Sequence, residues 1–329
     1  MSVSQRITKL VKGVDPLIVL IILAVLVAIV APARGQFAEW FAVATNLAIA
    51  LLFFLYGARL STREALAGLT NWKLHLTILA FTFVIYPLLG LALYPLTFFI
   101  SDELYRGILF LTLVPSTVQS SVAFTSIARG NVSGAIVAAS ASSLVGVFAT
   151  PLLVMALMST GEGVQIDAQV FLDIALLLLL PFVLGQIVRR WVKGLAAHKA
   201  TKVVDRGSIT MVVYSAFSSG MVAGVWTQVA VGEIVFLVVL SVVVVVFMLW
   251  LTRVISQWLG FPRADVIAIE FCGSKKSLAT GLPMASVMFG GASLGLLILP
   301  LMIYHQVQLM ICSWLAARYG KQTPEAVAV

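Results

Sequence analysis

Glu270-Phe271-Cys272-Gly273-Ser274-Lys275-Lys276-Ser277 stands inside an otherwise apolar run, residues 263–288, with Pro283 following it. Its meaning depends on what surrounds it. Hydrophobic residues make up 61% of the 329, charged residues 10%, and the mean hydropathy is +1.09. A soluble domain carries about 25% charged residues, and no soluble core has interior enough for this much apolar surface. The chain therefore reads as an all-α integral membrane protein. In that setting a charge at the bilayer centre costs at least about 2.5–3.5 kcal/mol. Three of them, Glu270, Lys275 and Lys276, are not carried for packing, so the stretch reads as a functional site.

A bilayer span needs about 20 mostly apolar residues, because nothing in the hydrocarbon satisfies a free backbone group. Ten stretches qualify, near 16–32, 42–58, 74–97, 105–127, 132–158, 168–188, 208–228, 232–252, 263–288 and 294–317. The connections are short, and the one expected to be longest, around 189–207, is basic. With the N-terminus inside, seventeen of the 21 Lys and Arg fall on one side, among them Arg6, Lys9, Lys12, Arg59, Arg63 and Arg129, and only Arg34 and Arg106 on the other. That asymmetry predicts both termini in the cytoplasm. The net charge of +8 is thereby topological and points to no nucleic acid. Lys9, Lys12, the run Leu17 to Val30 and Ala31-Pro32-Ala33 imitate a cleavable leader. The expectation is that the segment is retained as the first span.

The glycine-bearing loop from Ser159 to Asp167, with Gly161 and Gly163, divides the ten spans into five and five. A duplicated unit with an odd number of spans inserts upside down, an arrangement typical of secondary transporters. The expected organisation is one membrane domain over 1–329, with repeat 1 at about 16–158 and repeat 2 at about 168–317. Arg129-Gly130-Asn131-Val132-Ser133-Gly134 precedes span five and Gly290-Gly291-Ala292-Ser293-Leu294-Gly295 precedes span ten, a matching short turn in each half.

Such folds place their sites where helices are interrupted at corresponding positions of the two halves. Spans four and nine fit. After Pro115, seven of the eleven residues from Ser116 to Ser126 are polar: Ser116, Thr117, Gln119, Ser120, Ser121, Thr125 and Ser126. Hydroxyls alone would serve close helix packing equally well; the charges of span nine have no such reading. Proline removes a helical hydrogen bond, and carbonyls freed this way can face a cation.

Other chemistry is excluded. Cys272 and Cys312 cannot build a disulfide framework, and His75, His198 and His305 lack metal-ligand spacing. No phosphate-binding loop, nucleophile elbow or zinc-helix motif occurs. The chain is expected not to be an enzyme and to use no organic cofactor.

On these residues the chain resembles the bile acid:sodium symporter family, solute carrier family 10, and most closely its divergent seventh-member-like branch with bacterial relatives. The resemblance runs through all ten spans. It is sharpest at Ala128-Arg129-Gly130-Asn131-Val132 and from Glu270 to Ala279, with support from the Pro87 region, Ala149-Thr150-Pro151 and Tyr304-His305-Gln306. It implies spans four and nine broken where they cross. It also implies a core of helices 3–5 and 8–10 moving against a panel of helices 1, 2, 6 and 7. Carried across residue by residue, the family's glutamate falls on Glu270, its glutamine on Ser274, and the asparagine and serine after it on Lys275 and Lys276. The span-four serine falls on Ser121, with Ser120 also in register, and the span-three glutamine on Thr82. The span-five hydroxyls fall on Ala135 and Ala139, with Ser140 and Ser142 nearby.

Several sodium ligands of the family are therefore absent here. One lysine ammonium is expected to take the place of a sodium ion, held by Glu270 or by nearby hydroxyls and carbonyls. An ammonium taken out of water either finds acceptors or gives up its proton, so coupling to Na+, to H+ or to neither stays open. On an intact helix Ser274 and Ser277 share the Glu270 face, while Lys275 and Lys276 lie about 140° and about 120° away on opposite sides. A break near Gly273 is predicted, since without it neither lysine reaches the glutamate.

The resulting expectation is an alternating-access, cation-coupled secondary transporter for a small organic anion of sterol-like or bile-acid-like kind, in the plasma membrane and, given the bacterial relatives, the inner membrane. Glu270, Ser274, Lys275, Lys276, Ser120, Ser121, Ser140 and Thr82 form the ion set. Gln119, Ser116, Thr117, Tyr214, Ser218, His305 and Gln306 form the substrate crevice. The bilayer is the main partner and a monomer is expected. Arg59 and Arg63 read as topological, and Asp173 as having no special role. The alternative is a non-transporting membrane regulator of calcium or other ion fluxes that acts through partners.

Overall fold

The computed structural model describes residues 16–59, 71–158, 175–196, 198, 201–228, 230–289 and 293–321. Arg6, Lys9, Lys12, Arg63, the Ser159–Asp167 loop, Asp173, Lys199 and Gly290–Ala292, all used in the sequence reading, lie outside the described residues. Among the described residues every regular element is helical. In chain order the helices are α1 (Pro16–Val30), α2 (Gly35–Arg59), α3 (Trp72–Phe98), α4 (Asp102–Leu113), α5 (Gln119–Ile127) and α6 (Val132–Met158). They continue with α7 (Leu180–Ala196), α8 (Thr201–Val222), α9 (Val231–Trp258), α10 (Arg263–Gly273), α11 (Leu278–Phe289) and α12 (Leu294–Lys321).

Five of these, α2, α3, α6, α9 and α12, are long and apolar enough to cross a membrane. Their outward faces suit lipid. Along α9, Val235, Val239, Val242, Val246 and Trp250 recur at helical spacing and are all exposed, a stripe that water would not tolerate. The protein is a multi-pass membrane protein.

Two expected spans are not continuous helices. Residues 105–127 divide into α4 and α5 around 114–118, and residues 263–288 into α10 and α11 around 274–277. The first break follows from Pro115: the residue before a proline is held extended, and Val114 has φ −77° and ψ 155°. The second falls after Gly273, where prediction put it. Several boundaries differ from expectation: the second span begins at Gly35 rather than 42, and the one expected at 232–252 runs on to Trp258. The stretch 208–228 is helical only to Val222, with a short 3-10 turn at Val225–Gln228. The supposed long loop at 189–207 is largely helix, because the amphipathic end of α7 runs on to Ala196 and α8 begins at Thr201.

Packing falls into neighbourhoods. Helix α7 lies along α2, and α8 along α1 and α2. Helix α12 packs on α4, α9, α11 and α5, and α10 on α9, α5, α6 and α3. Helix α8 also touches α11 and α12, joining the two groups. Where α2 meets α7 the backbones nearly touch: a Cβ on Gly57 would sit 2.0 Å from the Phe182 carbonyl oxygen, and one on Gly185 would sit 2.1 Å from that of Phe54. Arg59, read from sequence as merely topological, has a structural partner. Its guanidinium holds the Asp205 carboxylate at 2.9 Å and donates to the Ala196 carbonyl at 2.8 Å, tying α2 to the ends of α7 and α8.

Candidate functional site

The two breaks lie against each other. An interrupted helix leaves carbonyls and N–H groups without intrahelical partners, and here each break satisfies the other. The Ser277 N–H donates to the Pro115 carbonyl at 2.8 Å, the Ser116 hydroxyl to the Cys272 carbonyl at 2.5 Å, and the Ser121 hydroxyl to the Phe271 carbonyl at 3.0 Å. Helix α6 closes a third side. The Ser142 hydroxyl accepts from the Ser116 N–H at 3.1 Å, and the Thr150 hydroxyl donates to the Leu113 carbonyl at 2.8 Å. Ser277 then starts α11 by accepting the Thr280 N–H at 3.2 Å, an N-cap in the usual sense.

Lys276 is wholly buried. Its ammonium donates to three backbone carbonyls, those of Thr82 at 2.9 Å, Thr112 at 2.8 Å and Val114 at 2.9 Å. An ammonium has three donors and no acceptor, so this shell is complete. Each carbonyl is free for a local reason. Thr112 and Val114 end α4, whose last carbonyls have no helical donor. Thr82 sits in a π-helical turn, Phe81–Ile85, where the Tyr86 N–H reaches back to Phe81. In that register the donor for Thr82 would be Pro87, which has no N–H. The Tyr86 ring lies 4.1 Å from the ammonium, within cation–π range. The lysine backbone is fixed as well: Gln308 accepts its N–H at 2.9 Å and donates to its carbonyl at 2.8 Å. The Tyr86 and Tyr304 hydroxyls, 2.6 Å apart, both donate to the Ser274 carbonyl, at 2.5 and 3.2 Å.

Lys275 points to the opposite side of the same break and is held far more loosely. Its ammonium is buried, lies 4.0 Å from the centre of the Phe124 ring, and makes one long hydrogen bond, 3.4 Å, to the Ser120 hydroxyl. Ser120 is half-buried and Gln119 beside it is exposed, so the surface is close. The Thr117 hydroxyl joins Ser120 and Ser121, 2.9 Å from each, at the start of α5.

Glu270 does not meet either lysine by hydrogen bond. One carboxylate oxygen accepts from the Tyr319 hydroxyl at 3.0 Å, and Tyr319 in turn accepts from Arg253. The other oxygen is buried without a partner among the described residues. Of the holders expected for a lysine, backbone carbonyls take Lys276 and a hydroxyl takes Lys275. The glutamate instead faces the ends of α9 and α12.

The structure brings Ser116, Thr117, Ser120, Ser121, Lys275 and Lys276 to one place. Thr82 belongs there through its carbonyl, since its own hydroxyl donates to Ile78 at 2.8 Å. The Ser274 hydroxyl likewise turns back to the Glu270 carbonyl at 2.5 Å. Ser142, rather than the half-buried Ser140, is the span-five hydroxyl bonded to the crossing. Tyr214 is elsewhere, donating to the Ala31 carbonyl at 2.9 Å beside α1. Ser218 is buried in α8. His305 pairs with Gln308 at 2.8 Å and so supports the Lys276 backbone at one remove, with Gln306 half-buried next to it. Sequence reasoning missed Tyr86, Tyr319 and Arg253, and although it expected carbonyls around a lysine it did not identify which. Pro87 and Pro115, which free the carbonyls of the cage, are its trace in the sequence.

Comparison with known proteins finds transporter relatives. The model of the SBF-like CPA transporter family matches residues 15–321. An uncharacterized protein of Pseudomonas aeruginosa is 50% identical over 313 residues, 94% of this chain and 93% of its own. The Escherichia coli protein named "Putative symporter YfeH" is 45% identical over 326 residues, 97% of each chain. Sodium/bile acid cotransporter 7 of Rattus norvegicus is 32% identical over 291 residues, 83% of this chain and 84% of its own.

Proposed function

We propose that this chain, which belongs to the SBF-like CPA transporter family, is a secondary transporter that carries a small organic anion across the membrane with a coupling cation. The carrying observation is the back-to-back contact of two interrupted helices with a loosely held, buried lysine on one side. Lys275 has a hydroxyl and two aromatic faces around it and, among the described residues, no carboxylate bonded to it. A positive charge so placed favours an anionic substrate, whose head would replace the long bond to Ser120 and take the Thr117 hydroxyl. The phenyl rings of Phe124 and Phe271 and the apolar walls suit a sterol-like or bile-acid-like body, a class that the names of the vertebrate relatives also suggest.

In this reading the chain has ten spans in two inverted repeats, about 16–158 and 168–317, with both termini in the cytoplasm and the bacterial inner membrane as its location. The α1, α2, α7 and α8 neighbourhood forms the panel against which the crossing helices move. The packing of those four helices on one another supports this. Na+ or H+ drives the cycle. Lys276 supplies one cation permanently, and Glu270, with a carboxylate oxygen unbonded, receives the mobile one.

The test is uptake of a radiolabelled bile acid, with aliphatic and aromatic organic anions in parallel, into liposomes holding only this protein. Saturable accumulation that rises with an inward Na+ or H+ gradient is expected. Vesicles that accumulate none of these above protein-free controls would contradict transport and favour a regulator that works through partners.

A further inference from the structure

Lys276 fills a place that a free ion could fill. Three carbonyl oxygens converge on one point at 2.8–2.9 Å, from two elements that are far apart in sequence. Rings of carbonyl oxygens that replace a hydration shell are how proteins hold monovalent cations. The geometry does not come from the lysine. The Thr82 carbonyl is freed by the π turn and by Pro87, and the Thr112 and Val114 carbonyls by the end of α4 before Pro115. Among the described residues no other side chain is hydrogen-bonded to these three oxygens. The segment that carries Lys276 is fixed independently by Gln308 and by the two tyrosines at Ser274, so the position stays where it is when the side chain is shortened.

We infer that the carbonyls of Thr82, Thr112 and Val114 form a monovalent-cation site that Lys276 keeps filled from within, so that shortening Lys276 to a small neutral side chain opens the protein to an alkali cation there. Lys276 acts as a tethered cation, and the native protein takes no free ion at this position. The ion acquired by the variant is Na+ or K+, not a divalent, because among the described residues no carboxylate is bonded at the cage and a divalent ion wants charged oxygen ligands. The face of the Tyr86 ring, 4.1 Å from the ammonium, closes the fourth side for a cation of either kind.

This deepens the cation part of the transport reading, but its test needs no substrate. A failure here therefore leaves uptake standing, and a failure of uptake leaves this standing. Purified wild type, Lys276→Ala and Lys276→Met are melted in choline, sodium and potassium chloride at equal ionic strength. Methionine keeps most of the lysine stem in the cage without its charge and serves as the filled control. Lys276→Ala is expected to melt at least about 2 °C higher in one of the alkali salts than in choline, with the shift growing with the logarithm of concentration. The Met variant should show no such gain over wild type. If alanine prevents folding, Lys276→Ser, which keeps a small polar side chain, carries the same expectation. Equal melting of the small variants in all three salts would overturn the proposal and leave Lys276 a hydrogen-bonding tether alone. An equal alkali gain in Lys276→Met, where the cage is filled, would overturn it too.

Discussion

Two adjacent lysines, both fully buried, have opposite surroundings, and the difference sets what each substitution should cost. Lys276→Met leaves three buried carbonyls without donors, each lost partner being worth about 1–3 kcal/mol. A destabilisation of several kcal/mol is expected in a chemical or thermal unfolding series. Lys275→Met gives up one long hydrogen bond and a ring contact while removing a buried charge, and its stability should stay within about 1 kcal/mol of wild type. Equal losses would show that the two environments are not as different as the distances imply. Glu270 depends on Tyr319 in the same way. Tyr319→Phe strips the hydrogen bond that the carboxylate accepts from Tyr319, the only one among the described residues, and should destabilise by about 1–3 kcal/mol, measured against Tyr304→Phe, whose partners Tyr86 and Ser274 remain bonded to each other. The sequence singled out Glu270, Lys275 and Lys276, because charge in hydrocarbon is costly, and it named carbonyls and hydroxyls as holders of a lysine. It did not say which carbonyls, nor that the glutamate is bonded to Tyr319, a residue distant in sequence that leaves no local pattern.

The helices break where proline and glycine direct. The gaps after Leu113 and Gly273 follow from Pro115 and from the glycine, and both were legible. The π turn in α3 was not. It arises because Tyr86 bonds one residue further back than usual, a choice that residue types alone do not dictate. The turn between α5 and α6 shows what a sequence motif can mean physically. Arg129 lies at φ 57°, a left-handed conformation that costs a side-chain-bearing residue about 1–3 kcal/mol. Asn131 after it caps α6 by accepting the Gly134 N–H at 2.8 Å and donates to Asp265 of α10 at 2.6 Å. Asn131→Ala should therefore cost about 1–2 kcal/mol, and Arg129→Gly should be neutral or stabilising by up to about 1 kcal/mol. Thermal unfolding of the pair in one detergent checks both directions. A stabilising Asn131→Ala would contradict the capping role.

Across the whole molecule, apolar surface faces outward and polar surface gathers at one internal crossing. The hydropathy made the first half of that plain, and it also gave α6 to the residue, while α9 and α12 begin within a residue of expectation and run four to six residues further. It overstated the loop at 189–207, since a basic amphipathic helix end and a loop look alike by hydropathy. It also gave no warning that Gly57 and Gly185 bring α2 and α7 into backbone contact, because small residues in apolar helices serve many purposes. Gly57→Leu should force those helices apart and lower both the yield of folded protein and its melting temperature, whereas Gly194→Leu, with open space around its Cβ position, should do neither. We propose that the crossing is a transport site and that Lys275 meets the substrate's charge. The decisive measurement is uptake of a radiolabelled organic anion into liposomes containing wild type, Lys275→Arg or Lys275→Met, each checked for equal melting temperature. Uptake should be retained in part by arginine and lost at least about tenfold with methionine. Uptake by Lys275→Met at the wild-type rate would contradict it.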